Sequence, residues 1–201
     1  MGSVHAKKPV RSVIAAQAVY TAYRDDLRKD FNGCCGYCDD ADERVDRLLF
    51  HIDHFAPKTK FPLLRTHYPN LVYACRFCNV CKSSHWVGDD ATVANDGRAG
   101  FVDPCAADYD DHVERDSSGR IVSKTELGAY IVRRLKLNLA CHELLWKARR
   151  SRVLRAEVLD LRERLRIADP QRVDPRHLDL ADTYIALTTA IDAYELAAVT
   201  P

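Results

Sequence analysis

Two Cys-x-x-Cys pairs, Cys35-Gly-Tyr-Cys38 and Cys75-Arg-Phe-Cys78, constrain this chain more than any other feature. Each short knuckle brings two sulfurs within bonding distance of one tetrahedral ion, and four thiolates close its shell, so the expected occupant is a structural Zn2+. Any fold must therefore bring residues 35–38 and 75–78 together. Cys34 competes as a ligand, but Cys35 with Cys38 repeats the spacing of Cys75 with Cys78. The other cysteines, Cys34, Cys81, Cys105 and Cys141, are scattered, which suits metal binding in a reducing compartment better than a disulfide framework.

Between the pairs lies a second polar set, Asp53, His54, Asn70 and Asn79, offering the carboxylate, imidazole and amide groups that a hard divalent cation and a water-activating base require. Arg47 to His54 reads as a short apolar strand that Pro57 forbids from continuing as an inner strand, so Asp53 and His54 stand at its end. His51 shares strand parity with Asp53 and is a rival ligand, though a histidine on a strand face also serves in packing. Leu71 to Ala74 reads as a second strand, leading through the second knuckle into a helix to about Ser84. On that helix Asn79 and Lys82 are three apart and share a face.

In order, Cys-x-x-Cys, Asp53-His54-x-x-Pro57, Asn70-Leu71 and Cys75-x-x-Cys78-Asn79-x-x-Lys82 resemble the HNH endonucleases of the ββα-metal class. The resemblance implies that His54 is the general base, that Asp53 and Asn79 hold a catalytic Mg2+ or Mn2+, and that Asn70 fixes the loop and orients His54. It also implies that Lys82 holds a phosphate, with Lys58 as a further contact, and that the substrate is DNA, most naturally double-stranded. Asn79 stands where many members have a histidine, and its amide oxygen favours Mg2+ or Mn2+ over a soft metal. More loosely, the stretch from Cys35 through Gly100–Cys105 to Leu135–Leu139 resembles the HNH subunits of bacterial anti-phage systems of the Septu and retron-associated kinds. That likeness implies a nuclease gated by an ATPase or another defence-system protein. A non-catalytic zinc-ribbon module binding nucleic acid or protein is the alternative that four cysteines alone would suggest.

The expected fold is α+β and mainly helical: a ββα-metal core with a structural zinc, an N-terminal helix and a C-terminal helical hairpin. Residues 1–32 are expected to form a helix packing on the core, 33–127 the nuclease core, and 128–201 a helical region. The helix is read over Pro9–Phe31 from Val13, Ala16, Tyr20, Tyr23 and Leu27, whose aromatic stripe is assigned to core packing. Gly88 to Gly119 reads as surface elaboration, and Ile121 as the start of a helical remainder. There Leu144, Ala148, Leu154, Val158, Leu161 and Leu165 form one stripe, while Asp174-Pro175 opens a last helix with Leu180, Tyr184, Leu187, Ile191 and Tyr194 on one face. This hairpin is where a partner protein would dock.

At 201 residues and a formal net charge of +1, the whole molecule offers no electrostatic case for nucleic acid. The run Arg133, Arg134, Lys136, Lys147, Arg149, Arg150, Arg152 and Arg155 is either a phosphate-facing stripe or a solvated helix face. No secretory signal or membrane span is read, and a soluble cytoplasmic protein is expected.

Overall fold

A computed structural model describes residues 2–43, 50–168 and 176–200. The chain is α+β and mainly helical, and it divides into two compact units, residues 1–139 and 140–201. Each is described by itself. Among the described residues no helix is long and apolar enough to cross a membrane.

The first unit is built on an antiparallel hairpin, β1 (Phe50–His54) with β2 (Leu71–Cys75), paired from Phe50 opposite Cys75 to His54 opposite Leu71. The rest of the strand expected from Arg47 lies outside the described residues. β2 is the sequence Leu-Val-Tyr-Ala-Cys, buried at every position, because α1 (Arg24–Asp30) and α2 (Arg76–Lys82) both pack on it. An apolar run without alternation is what a strand covered on both faces needs. α2 starts at once after β2: Cys75 is its N-cap, and the Cys75 sulfur accepts from the Cys78 amide.

The N-terminal helix covers only the second half of its expected span. Tyr20–Tyr23 is a 3₁₀ turn that runs into α1, whereas residues 10–17 lie outside any helix. Their polar groups are satisfied from elsewhere: the Val10 amide donates to the Asp30 carbonyl, the Ser12 amide and hydroxyl to the Asp30 carboxylate at 2.6 and 2.7 Å, and the Gln17 amide to the Tyr23 hydroxyl. Arg11 donates to the Leu71 carbonyl and forms a two-bond ion pair with Asp103. Val13 and Ala16, the first members of the apparent helical stripe, are exposed, and the side chains of Asp30 and Arg11 hold this segment out of a helix.

Residues 100–123 belong to the core more than their polar composition suggests. Phe101, Val102, Tyr109, Val113 and Ile121 are buried, and β3 (Val113–Arg115) pairs with β4 (Ile121–Ser123), where a helical remainder was expected to begin. Strands of three residues are too short to show a period of two. Their turn is held by Asp116, whose carboxylate accepts from Ser118 and Arg120 amides and the Ser118 hydroxyl. Arg115 points inward and donates to the carbonyls of Val4, Gly119 and Cys38, tying the N-terminus and first knuckle to this hairpin. α3 (Tyr109–His112) precedes β3, and α4 (Glu126–Leu135) follows β4. Gly128 of α4 lies against the His112 carbonyl, where a Cβ would sit at 1.9 Å, so only glycine fits. α4 ends at Lys136, in the left-handed region, within the first unit.

The second unit is a helical hairpin of α5 (Ala140–Ala168) and α6 (Arg176–Val199). Arg152 pairs with Glu195, while Arg155, further along α5, meets Thr188 and Tyr184 earlier on α6, so the helices run antiparallel. Leu180, Tyr184, Leu187, Ile191 and Tyr194 are all at least partly buried, whereas Leu154 and Leu161 of the α5 stripe are exposed. The cap expected at Asp174-Pro175 lies outside the described residues. The basic run splits between α4 and α5, and several of its members are spent locally: Lys147 on Glu143, Arg150 on the Trp146 ring, Arg133 on the Tyr130 ring and Arg134 on His85.

Asp30 yields a pH test. Burial alone would raise its carboxyl, but hydrogen bonds from Tyr68 and Ser12 outweigh that and hold it below the usual carboxylate range. A carboxyl depressed by folding stabilises above its unfolded pKa of about 3.9, and that contribution is lost as pH falls through the lower folded value. Asp30→Asn should therefore lower Tm at neutral pH and flatten the loss of Tm below about pH 4, as read by circular dichroism across a pH series.

Candidate metal centre and catalytic cleft

The sulfurs of Cys35, Cys38, Cys75 and Cys78 lie within 4.8 Å of one another and all four residues are buried. Cys38 and Cys75 sulfurs are 3.8 Å apart, the edge of a tetrahedron whose centre is about 2.3 Å from each vertex, which is the zinc–thiolate bond length. Backbone amides face the cluster, from Tyr37 to Cys35 at 3.4 Å and from Cys78 to Cys75 at 3.5 Å. The first knuckle sits close on the core: Gly36 donates to the Tyr73 carbonyl at 2.8 Å, and a Cβ there would meet Phe31 and Val72 below 3 Å. Cys34 turns away, its sulfur 3.5 Å from the Asn32 carbonyl. Chemistry and spacing fit zinc, and the cluster staples the knuckle after α1 to the start of α2.

Beyond it the face of α2 lies over β1. Asn79 meets His51, its amide nitrogen 2.8 Å from His51 Nδ1, and one turn later Lys82 meets Asp53, with Nζ 3.1 Å from Oδ2. The Lys82 ammonium also donates to the His54 carbonyl at 2.8 Å, and the Tyr37 hydroxyl donates to Asp53 at 2.6 Å. Burial pushes the Asp53 carboxyl up, against Lys82 and Tyr37, which favour the carboxylate; burial beside Asp53 pushes the Tyr37 hydroxyl far up, so it stays a neutral donor. Lys82, expected to hold a phosphate, has a side chain with no exposure at all. Its charge is consumed by Asp53 inside the core, between the rings of Phe55 and Phe101, and it does not reach the cleft.

A cleft of about 710 Å³ opens beside this interface, lined by His51, Asp53, His54, Asn79, Lys58 and Tyr20 among others. His54 ends β1, and its Nε2 lies 2.9 Å from the Arg65 carbonyl. Because a carbonyl only accepts, Nε2 carries the proton and Nδ1 keeps the lone pair. Burial lowers the proton affinity of His54, the Arg65 carbonyl partly restores it, and the positive charges of Lys58, Lys82 and Arg65 lower it again, so the ring is neutral at pH 7. Asn70 grips the loop after His54: its Oδ1 accepts from the Ala56 amide at 2.8 Å and its Nδ2 donates to the Ala56 and Leu64 carbonyls. Asn70 thus acts on the loop, as expected of it, while the ring of His54 makes its own hydrogen bond to Arg65.

Tyr20, read from the sequence as core, packs edge-on against His54 with ring centroids 4.8 Å apart, and Lys58 sits 4.6 Å above its ring. Its place could have been found only from the register of the 3₁₀ turn, which a helical reading of Pro9–Phe31 hides. Lys58 is exposed at the cleft mouth, while Lys60 is engaged by Gly88 and Asp89.

The segment that carries this geometry, two strands and a helix with a histidine at the end of the first strand and a cysteine cluster behind, is matched in sequence in one comparison. Residues 35–85 match the family model of the HNH endonucleases. The match spans about a quarter of the chain and supports a phosphodiester hydrolase at the level of the family. No curated protein and no solved structure matches the chain. Within the HNH segment, the family's divalent ion can be tested against the residues present. His51, Asp53 and Asn79 all line the cleft; Asp53 Oδ2 is held by Lys82 and Tyr37, and Asn79 and His51 are hydrogen-bonded to each other, so a carboxylate, an imidazole and an amide are the groups this site could offer a hard divalent ion.

Two tests follow from the HNH segment. Cys78→Ser, or prolonged chelation, should remove the zinc detected by elemental analysis and with it the cooperative unfolding of the segment, because metal binding and folding are one equilibrium in such small sites. Lys82→Ala should destabilise folding by about 3–5 kcal/mol in denaturant melts, because it leaves Asp53 buried without its counter-charge. A Lys82→Ala protein of native stability would show that the pair with Asp53 does not hold α2 on β1.

Proposed function

We propose that the chain is a metal-dependent HNH endonuclease that hydrolyses phosphodiester bonds of DNA, with double-stranded DNA as its partner. The observation that carries the reading is His54: a neutral imidazole whose Nε2 proton is fixed on the Arg65 carbonyl, leaving Nδ1 as a base in a cleft shared with Asn79. In this reading His54 takes a proton from water as the water oxygen bonds to phosphorus and the bond to the 3′ oxygen breaks. By family resemblance the products carry 5′-phosphate and 3′-hydroxyl ends. Asn70 keeps His54 in place by locking the Ala56 loop. Exposed Lys58, with Arg65 behind the same Tyr20 ring, draws the phosphate to the mouth. Asn79 and a side chain of β1 would hold one divalent cation, Mg2+ or Mn2+, which when bound supplies charge relief to the phosphate and the leaving oxygen.

An anti-phage setting, and gating by an ATPase or other partner at the C-terminal helices, rest on the looser resemblance through Gly100–Cys105 and Leu135–Leu139 alone. The deciding experiment incubates zinc-loaded protein with supercoiled plasmid in Mg2+, Mn2+ or EDTA, beside His54→Ala. Nicking or linearisation that needs the added metal and falls by about 10²-fold or more in His54→Ala is expected. Cleavage that persists in the variant removes His54 as the base; a folded, zinc-loaded protein that never cleaves leaves a gated subunit or a non-catalytic zinc module.

A further inference from the structure

The family match begins at residue 35, yet the cleft draws on earlier residues: Tyr20, Thr21 and Arg24 line it beside His54 and Lys58. The turn that brings them there is pinned on two sides. Tyr23 is buried in the core against Tyr68 and accepts from the Gln17 amide, and Arg24 donates to the Phe50 carbonyl of β1 at 2.8 Å. In a 3₁₀ turn residues three apart eclipse one another, so anchoring Tyr23 also fixes the direction of Tyr20.

Tyr20 is the centre of a closed set of contacts. Its ring packs edge-on against the His54 ring with centroids 4.8 Å apart, Lys58 Nζ stands 4.6 Å above it, and the Arg65 guanidinium carbon is 5.9 Å from its centre. The Arg65 carbonyl in turn accepts the Nε2 proton of His54, so the base and both cations are placed against one aromatic ring. Lys58 and Arg65 are exposed, and among the described residues neither pairs with a carboxylate, whereas Arg11, Arg28, Lys60 and Arg98 each do. Two like charges gathered on one ring without neutralisation, at the mouth of a cleft, attract an anion. A phosphate held by them would lie next to His54.

We propose that Tyr20 is a positioning residue for the substrate: its ring holds Lys58 and Arg65 as one subsite for a phosphodiester of DNA, beside His54. The face of the ring attracts each cation without neutralising it, so both keep their charge for the phosphate. A carboxylate in the same place would gather the cations but also cancel them. The inference rests on the nuclease reading for its ligand, and its test reads binding rather than cleavage.

Zinc-loaded full-length protein is titrated into a labelled DNA duplex by fluorescence anisotropy, without added divalent ion and over a series of salt concentrations. Tyr20→Phe keeps the ring, whereas Tyr20→Leu and Tyr20→Gln keep bulk without it; zinc content and thermal melts establish which variants are folded. Lys58→Ala and Arg65→Ala are made in the wild-type and ring-less backgrounds. Tyr20→Phe should bind as the wild type, while the ring-less variants should bind about fivefold or more weakly and lose about one phosphate contact from their salt dependence. Lys58→Ala and Arg65→Ala should each weaken binding in the wild type yet add little in a ring-less background. Lys60→Ala, whose ammonium is held by Asp89, should have the same effect in both, which a merely structural role for Tyr20 would not distinguish from the other two. Wild-type affinity in a folded ring-less variant, additive losses with both cation variants, or a wild type that binds no DNA overturns the inference. Coupled losses in a protein that never cuts plasmid keep it and sink the nuclease reading; His54-dependent cutting by a protein whose ring-less variants bind DNA normally does the reverse.

Discussion

A lysine with no exposed surface has to be neutralised, and the way this chain neutralises Lys82 sets the geometry of everything around its cleft. The ammonium takes the Asp53 carboxylate and the His54 carbonyl at once, so it fixes both the side chain before the histidine and the backbone of the histidine itself. Tyr37, from the first zinc knuckle, adds its hydroxyl to the same carboxylate. One buried charge thereby joins three segments, the knuckle, β1 and α2, and leaves the next turn of α2, at Asn79, facing His51. Ion pairs of this kind add little net stability over an apolar packing, but they tolerate only one registry.

The zinc cluster completes that registry from the other end of the helix. α2 has seven residues, far below the length at which an isolated helix holds together in water. It is pinned at its start by Cys75 and Cys78 and at its end by Lys82, and between them Asn79 and Val80 line the cleft, Asn79 being the polar one. A short helix clamped at both ends can aim a side chain as rigidly as a long one packed along its length. Only the middle turn needs to be spared for function.

Much of this was legible because the residues involved have few alternative uses. Paired cysteines at matched spacing identified the zinc set and excluded Cys34, and an apolar run between turn residues identified β2. Lys82 was misread because a lysine is ordinarily exposed, and nothing local to it announces that Asp53, twenty-nine residues earlier, will be buried beside it. The non-helical path of residues 10–17 was hidden for a similar reason: a helical period is local, whereas the partners that displace the helix, Asp30 and Asp103, are supplied by the tertiary fold. β3 and β4 were missed for their brevity; Tyr20 does pack against the core as read, but the periodicity carries no sign of its contact with His54.

The electrostatics of the cleft carry an internal tension that the fold resolves. In the proposed nuclease reading cations are wanted near the phosphate, yet Lys58, Lys82 and Arg65 all lower the proton affinity of His54. A net charge of +1 gives the chain no overall field to attract DNA, so that reading depends on local cations. Burying Lys82 against Asp53 cancels most of the nearest charge, and the Arg65 carbonyl, accepting from Nε2, returns part of the lost basicity. What remains is Lys58 and the Arg65 guanidinium over the Tyr20 ring, the cations that the nuclease reading assigns to the phosphate. The histidine is left neutral at physiological pH, the state a general base must occupy before it acts.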